Sequence, residues 1–182
     1  MCSTGFLHTA VFQLRLVEIS YIKIPVKSLI ALVVFGAAFA FVEASVVYYL
    51  RTLFEIPAAL AVKPTVQPVF NLGLIAFLPL GTLVLPSPAI MQAETLREFA
   101  TIVMLGAVSY LAAPTLRRRL GAFFVAFAVW DIFYYVFLHV LTGWPPSLFA
   151  VDVFFLIPVP WVGPVITAVC SSVLLFITGI ML

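Results

Sequence analysis

Long apolar runs alternate along the chain with short clusters of prolines, charges and turn residues, and this alternation predicts membrane-crossing helices. Residues 28–50 are apolar apart from Glu43, with Lys23 and Lys27 before them and Arg51 after. At about 1.5 Å per residue, such a run crosses a hydrocarbon core of about 30 Å. Residues 91–113 form a second run, opened by Glu94, Arg97 and Glu98 and closed by Pro114. Residues 120–141 form a third, interrupted by Asp131 and ending near His139. A Gly143-Trp144-Pro145-Pro146-Ser147 turn follows, then an apolar stretch carrying Asp152 and closed by Pro158 and Pro160, then a last helix over 161–182.

Segment 66–85 is apolar but broken by Pro68, Gly73, Pro79 and Gly81. Proline removes a backbone donor and clashes with the preceding turn. In membranes neighbouring helices compensate for such breaks, so hydropathy alone does not place this segment. The basic residues do. Short cytoplasmic loops carry the excess Lys and Arg. Lys23 and Lys27 share a side with Arg117, Arg118 and Arg119 only if segment 66–85 does not cross. The expected fold is therefore an all-α polytopic transmembrane bundle. It has four spanning helices, plus a Pro/Gly-broken re-entrant or surface segment on the outer side. Residues 1–27 form a cytoplasmic or interfacial segment, and 28–182 a single transmembrane domain. Both termini are placed in the cytoplasm, at the cell (inner) membrane.

Composition agrees. The chain is 65% hydrophobic and 9% charged, against about a quarter charged in soluble domains, and its mean hydropathy is +1.26. The formal charge of +2 comes from clustered basic residues, without the basic, aromatic-interleaved face that nucleic acid requires. Cys2 and Cys170 are too far apart in sequence for metal-ligand spacing, and Cys170 reads as a small packing residue. Arg15 and Glu18 interrupt the first apolar stretch, so no cleaved leader is expected.

Against that background the ionisable residues stand out, because each costs roughly 2.5–3.5 kcal/mol at bilayer depth. On the expected topology Glu43, Arg51, Glu94, Arg97, Glu98, Asp131, His139 and Asp152 all fall toward the outer side. Helical spacing sorts them into stripes: Glu43, Val47 and Arg51; Glu94, Glu98 and Thr101; Asp131, Tyr135 and His139. Arg97 can pair with Glu94 at i+3. In lipid such stripes turn inward, so an outward-opening acidic pocket is expected where they meet.

Three uses of that pocket follow. The acids can lock helices, with Glu43–Arg97, Asp131–Arg51 and tyrosine hydroxyls satisfying one another, as in a structural or accessory subunit. Carboxylates in excess of arginine can hold a hard or borderline cation in a membrane enzyme, with Glu43, Glu98 and Asp131 as the metal candidates. Intramembrane acids can also serve transport of a proton, ion or small solute, although the inner halves of the spans carry almost no polar groups. The sequence leaves the cofactor open, and no Gly-x-Ser-x-Gly, His-Glu-x-x-His or phosphate-binding glycine loop is present. Expected partners are the bilayer and a second copy or another membrane subunit.

Five blocks carry a resemblance: Phe41-Val42-Glu43-Ala44 with Tyr49-Leu50-Arg51; Arg97-Glu98 with Thr101; Trp130-Asp131 with Tyr134-Tyr135; Gly143-Trp144-Pro145; and the run from Phe155 to Trp161. Together they resemble a group of small, uncharacterised prokaryotic integral membrane proteins over roughly 35–164. The resemblance implies a four-helix membrane fold with the same acidic positions, and no activity.

Overall fold

The computed structural model describes residues 24–54, 68–79 and 87–182. The expected N-terminal interfacial segment lies almost entirely outside them. Four helices are present: α1 (Val26–Phe54), α2 (Pro88–Ala112), α3 (Leu116–Thr142) and α4 (Val165–Met181). Among the described residues, α1, α2 and α3 are long and apolar enough to cross a membrane. At 17 residues, α4 reaches only about 26 Å.

Three local signals set the helix ends. Ser87 caps α2, its hydroxyl accepting from the Ile90 N–H at 3.3 Å, and Pro88 takes the first position, where its missing N–H costs nothing. Gly143 ends α3 at φ +71°, the left-handed conformation that glycine adopts freely, and its N–H donates to the His139 carbonyl at 2.8 Å. Arg117–Arg119 were expected as a loop, yet they occupy the first turn of α3. Arg119 reaches back to donate to the Ala113 carbonyl at 2.9 Å and lies over the Tyr110 ring. It thereby occupies a carbonyl at the end of α2 that no helical N–H can reach.

Cross-helix contacts give the directions. Gly36 of α1 faces Ala126 and Val129 of α3, and Arg51 reaches Thr142, so α1 and α3 run parallel. The chain turns back across residues 113–115 between α2 and α3, and Gly121 meets Gly179 while Asp131 meets Ser172, so α2 and α4 run the other way. Up-down-up-down order places Lys27, Arg117–Arg119 and Leu182 at one end. Helix α3 is the hub: α1, α4 and α2 all pack on it, while α1 and α2 touch each other sparsely. The half near the basic end is closed by Leu32, Leu105, Ala122, Val125, Ala126 and Val129.

The helices are joined by something an all-α reading omits. Strands β1 (Phe70–Asn71), β2 (Ala76–Phe77), β3 (Val151–Phe155) and β4 (Trp161–Pro164) form one antiparallel sheet in the order β1-β2-β4-β3. The described part of the broken segment 66–85 is thus a hairpin. Its tip turns at Gly73, φ +85°, whose N–H donates to the Asn71 side chain at 2.8 Å. Its prolines and glycines break helix, and two-residue strands need none of the hydrogen bonds they remove. Strand β4 also takes the residues expected to begin the last helix, so α4 starts at 165 rather than 161. The sheet sits at the end of the bundle away from the basic residues. Phe155 anchors it, its ring 6.1 Å from Phe127, 6.2 Å from Trp130 and 6.3 Å from Trp161.

Small residues let α3 and α4 approach closely. A Cβ on Gly121 would lie 2.7 Å from the Gly179 carbonyl oxygen, and a Cβ on Gly179 equally close to that of Gly121. Gly121→Ala should therefore destabilise the detergent-solubilised protein by about 1–3 kcal/mol, because backbone must move. Gly106→Ala meets open space and should be neutral or stabilising by up to about 1 kcal/mol through helix propensity. Thermal unfolding followed by far-UV circular dichroism compares the two; equal effects would contradict the close crossing.

Candidate functional site

At the sheet-covered end, α1, α2, α3 and β3 enclose a cavity of about 120 Å³. At the roughly 15 Å³ of such space needed for one water, it has room for about eight, or for a small organic group. Its lining includes Glu43, Val47, Leu50 and Arg51 from α1; Ile90, Glu94, Arg97, Glu98 and Thr101 from α2; and Trp130, Asp131, Tyr134 and Tyr135 from α3. Residues 152–156 of and after β3 form the roof. Of the site residues read from the sequence, all but His139 are brought together here.

Arg97 holds the floor. Its Nη1 pairs with Glu43 Oε2 across the α1–α2 gap. Its Nη2 and Nε donate to Glu94 Oε2 at 2.8 and 3.2 Å, one turn earlier on the same helix. Glu43 is only 4% exposed, and its Oε1 accepts from the Thr101 hydroxyl at 3.1 Å. One guanidinium thus serves two carboxylates, using the planar fork that lysine lacks.

The remaining acids take neutral donors. Glu98 Oε2 accepts from the Leu156 N–H at 2.7 Å, tying the end of β3 to α2. Asp131 Oδ2 accepts from the Ser172 hydroxyl of α4 at 2.8 Å. This differs from the expected Asp131–Arg51 pair. Asp152, expected in a loop, lies on β3, 8% exposed, and accepts from the Tyr135 hydroxyl at 3.0 Å. Burial pushes its carboxyl up to about 6 from an ordinary 3.8, and Asp131 adds to the rise, while Tyr135, the Val153 N–H and Arg51 pull the other way. Arg51 occupies the rim, 4.9 Å from the centre of the Trp144 ring and 3.5 Å from the Thr142 hydroxyl.

His139 departs from its stripe. It is exposed, and its Nδ1 lies 3.0 Å from the Pro145 carbonyl, outside the cavity. Helical spacing put it in line with Asp131 and Tyr135, but two turns beyond Asp131 the Gly143–Pro145 turn supplies its partner. The metal candidates also separate. Glu43, Glu98 and Asp131 are each turned to a different donor, and among the described residues no three His, Cys, Asp or Glu groups gather as a metal site.

Two parts of the site had little sequence signal. Ser172 is one of four hydroxyl residues in α4, with Thr167, Ser171 and Thr178, and nothing in the sequence singles it out. The roof acts through a backbone N–H, which every residue but proline carries.

Removing one partner of a buried ion pair leaves the other charge stranded, which costs about 3–5 kcal/mol. Arg97→Met should fall near the lower figure, because the Arg97 side chain is still 24% exposed. The triple variant Glu43→Gln/Glu94→Gln/Arg97→Met, with no charge left to strand, should recover most of the loss. Apparent Tm in detergent measures both, and a triple variant no more stable than the single one would contradict the pairing.

No protein-family model matches this chain, and no curated protein or solved structure matches it.

Proposed function

We propose that this is a four-span integral protein of the cell membrane that holds a small organic cation in its outer pocket, both termini lying in the cytoplasm. The basic residues at one end of the bundle support that orientation. Helix α4, continued by β4, supplies the fourth span.

One observation carries the binding reading: a cavity lined by five carboxylates and two guanidiniums. Arg97 accounts for Glu43 and Glu94. Glu98, Asp131 and Asp152 accept from neutral amides and hydroxyls, so acids outnumber guanidiniums around an open space. Acids that served only to lock helices would be packed to interior density. The walls favour an organic cation over a bare metal ion. Trp130 stacks on Tyr134 with centroids 6.1 Å apart, beside Phe155, and such faces attract ammonium groups. Among the described residues no three His, Cys, Asp or Glu groups gather as a metal site. A holding role is favoured over passage across the bilayer, since the half below the cavity is the apolar plug around Leu32, Leu105 and Val125.

Ethylammonium titrated into the purified protein should change tryptophan fluorescence saturably, because Trp130 lines the cavity and Trp144 lies under Arg51. Acetate should not. Asp131→Asn/Asp152→Asn should weaken the response at least tenfold. Asp152 is neutral below its value of about 6 and charged above it. Affinity should therefore rise as pH increases through 6, while ethylammonium itself stays charged. No saturable response at any pH between 5 and 8 would refute the reading.

A further inference from the structure

We infer that the pocket's cation is a small amino alcohol: a primary ammonium taken by Asp131 and Asp152, with a neighbouring hydroxyl taken by Tyr134. This rests on the cation-binding reading and adds the chemical class and the residue that selects it.

Tyr134 is a fixed part of the cavity wall. Its ring stacks on Trp130 with centroids 6.1 Å apart and meets Tyr135 edge-on at 5.3 Å. The Tyr135 hydroxyl is engaged, donating to Asp152 at 3.0 Å. Among the described residues, no group hydrogen-bonds to the Tyr134 hydroxyl. The charges that act on it are those of Asp152, Glu94, Arg97 and Arg51, which line the cavity from β3, α2 and α1. A hydroxyl whose electrostatic neighbours come from three other walls is turned into the cavity, not away from it.

The ligand follows from those neighbours, two acids and two guanidiniums. A charged ligand group beside Tyr134 is drawn to one pair and repelled by the other, whereas a neutral group avoids the conflict. A hydroxyl also matches the phenol, since each both donates and accepts. A methyl group in the same place leaves a buried polar group unsatisfied, and that costs more than one hydrogen bond is worth in net terms. The spacer between ammonium and hydroxyl is short. Tyr134 lies three residues after Asp131 on α3, and side chains so spaced share a face, with β carbons about 5–6 Å apart. Asp152 acts on the same hydroxyl from the roof. An ammonium held by either aspartate therefore reaches Tyr134 through few carbons.

Tryptophan-fluorescence titrations of the full chain in detergent, at neutral pH where every amine used is charged, test this. 2-Aminoethanol should bind about tenfold or more tightly than propylammonium, which carries a methyl in place of the hydroxyl. Tyr134→Phe keeps the ring and loses the hydroxyl, and should bring the two affinities within about twofold of each other. Tyr134→Leu supplies the same comparison if that variant fails to fold. Free glycine, with a carboxylate where the hydroxyl stands, should give no response at concentrations that saturate with 2-aminoethanol. Equal affinities of 2-aminoethanol and propylammonium for the wild-type protein overturn the amino alcohol. A ratio that survives Tyr134→Phe overturns Tyr134 as the partner of the hydroxyl. Glycine binding as tightly as 2-aminoethanol overturns the neutral group. Ethylammonium keeps the two readings apart. A saturable response to it without any preference for the hydroxyl leaves the cation pocket standing and removes the amino alcohol. No response to any amine removes both.

Discussion

Arg97 is held on two sides at once, by Glu43 from α1 and by Glu94 from its own helix. Helices α1 and α2 have little other contact, so this guanidinium is the main polar link between them. The single charge of Arg97 is shared between two carboxylates, and the hydroxyl of Thr101 occupies Glu43's second oxygen. The pair also fixes where the apolar plug ends and the polar cavity begins.

The sheet is the second constraint. An open strand edge is not tolerated against lipid, because its N–H and C=O groups have no water to bond. Here β3 lies at one edge, and just beyond it the Leu156 N–H is satisfied by a carboxylate of α2. Aromatic rings on both layers take up the rest of the junction. The close approach of the hairpin tip to β4 relies on Gly163, where a Cβ would collide with the Leu74 carbonyl. A rigid roof standing off α1 and α2 is what leaves a cavity in place of a collapsed network.

These two constraints explain why the acids outnumber their basic partners. Arg97 and the roof consume Glu43, Glu94 and Glu98 structurally. Asp131 accepts from the Ser172 hydroxyl, Asp152 accepts from the Tyr135 hydroxyl and the Val153 N–H, and both residues line the cavity. Acids that look alike in the sequence thus have different partners in the bundle: a guanidinium, a backbone amide or a hydroxyl.

The helices, their order and the end of the bundle at which the acids cluster were legible in the sequence. Burying an apolar run and satisfying its backbone within one helix are local matters, and positions four apart share a face whatever surrounds them. The Glu94–Arg97 pair was legible for the same reason. Partnerships between elements were less so. Glu43–Arg97 was among the pairs considered, but Asp131 turned to Ser172 and not to Arg51, and His139 left its stripe for the Pro145 carbonyl. The described part of the segment read as re-entrant or surface-lying belongs to a sheet that also shortened α4, and the roof is fastened by a backbone N–H. Those outcomes depend on which faces meet and how far the strands reach. Only the assembled bundle decides that, because the partners of Asp131 and Glu98 lie far along the chain: 41 residues between Asp131 and Ser172, and 58 between Glu98 and Leu156.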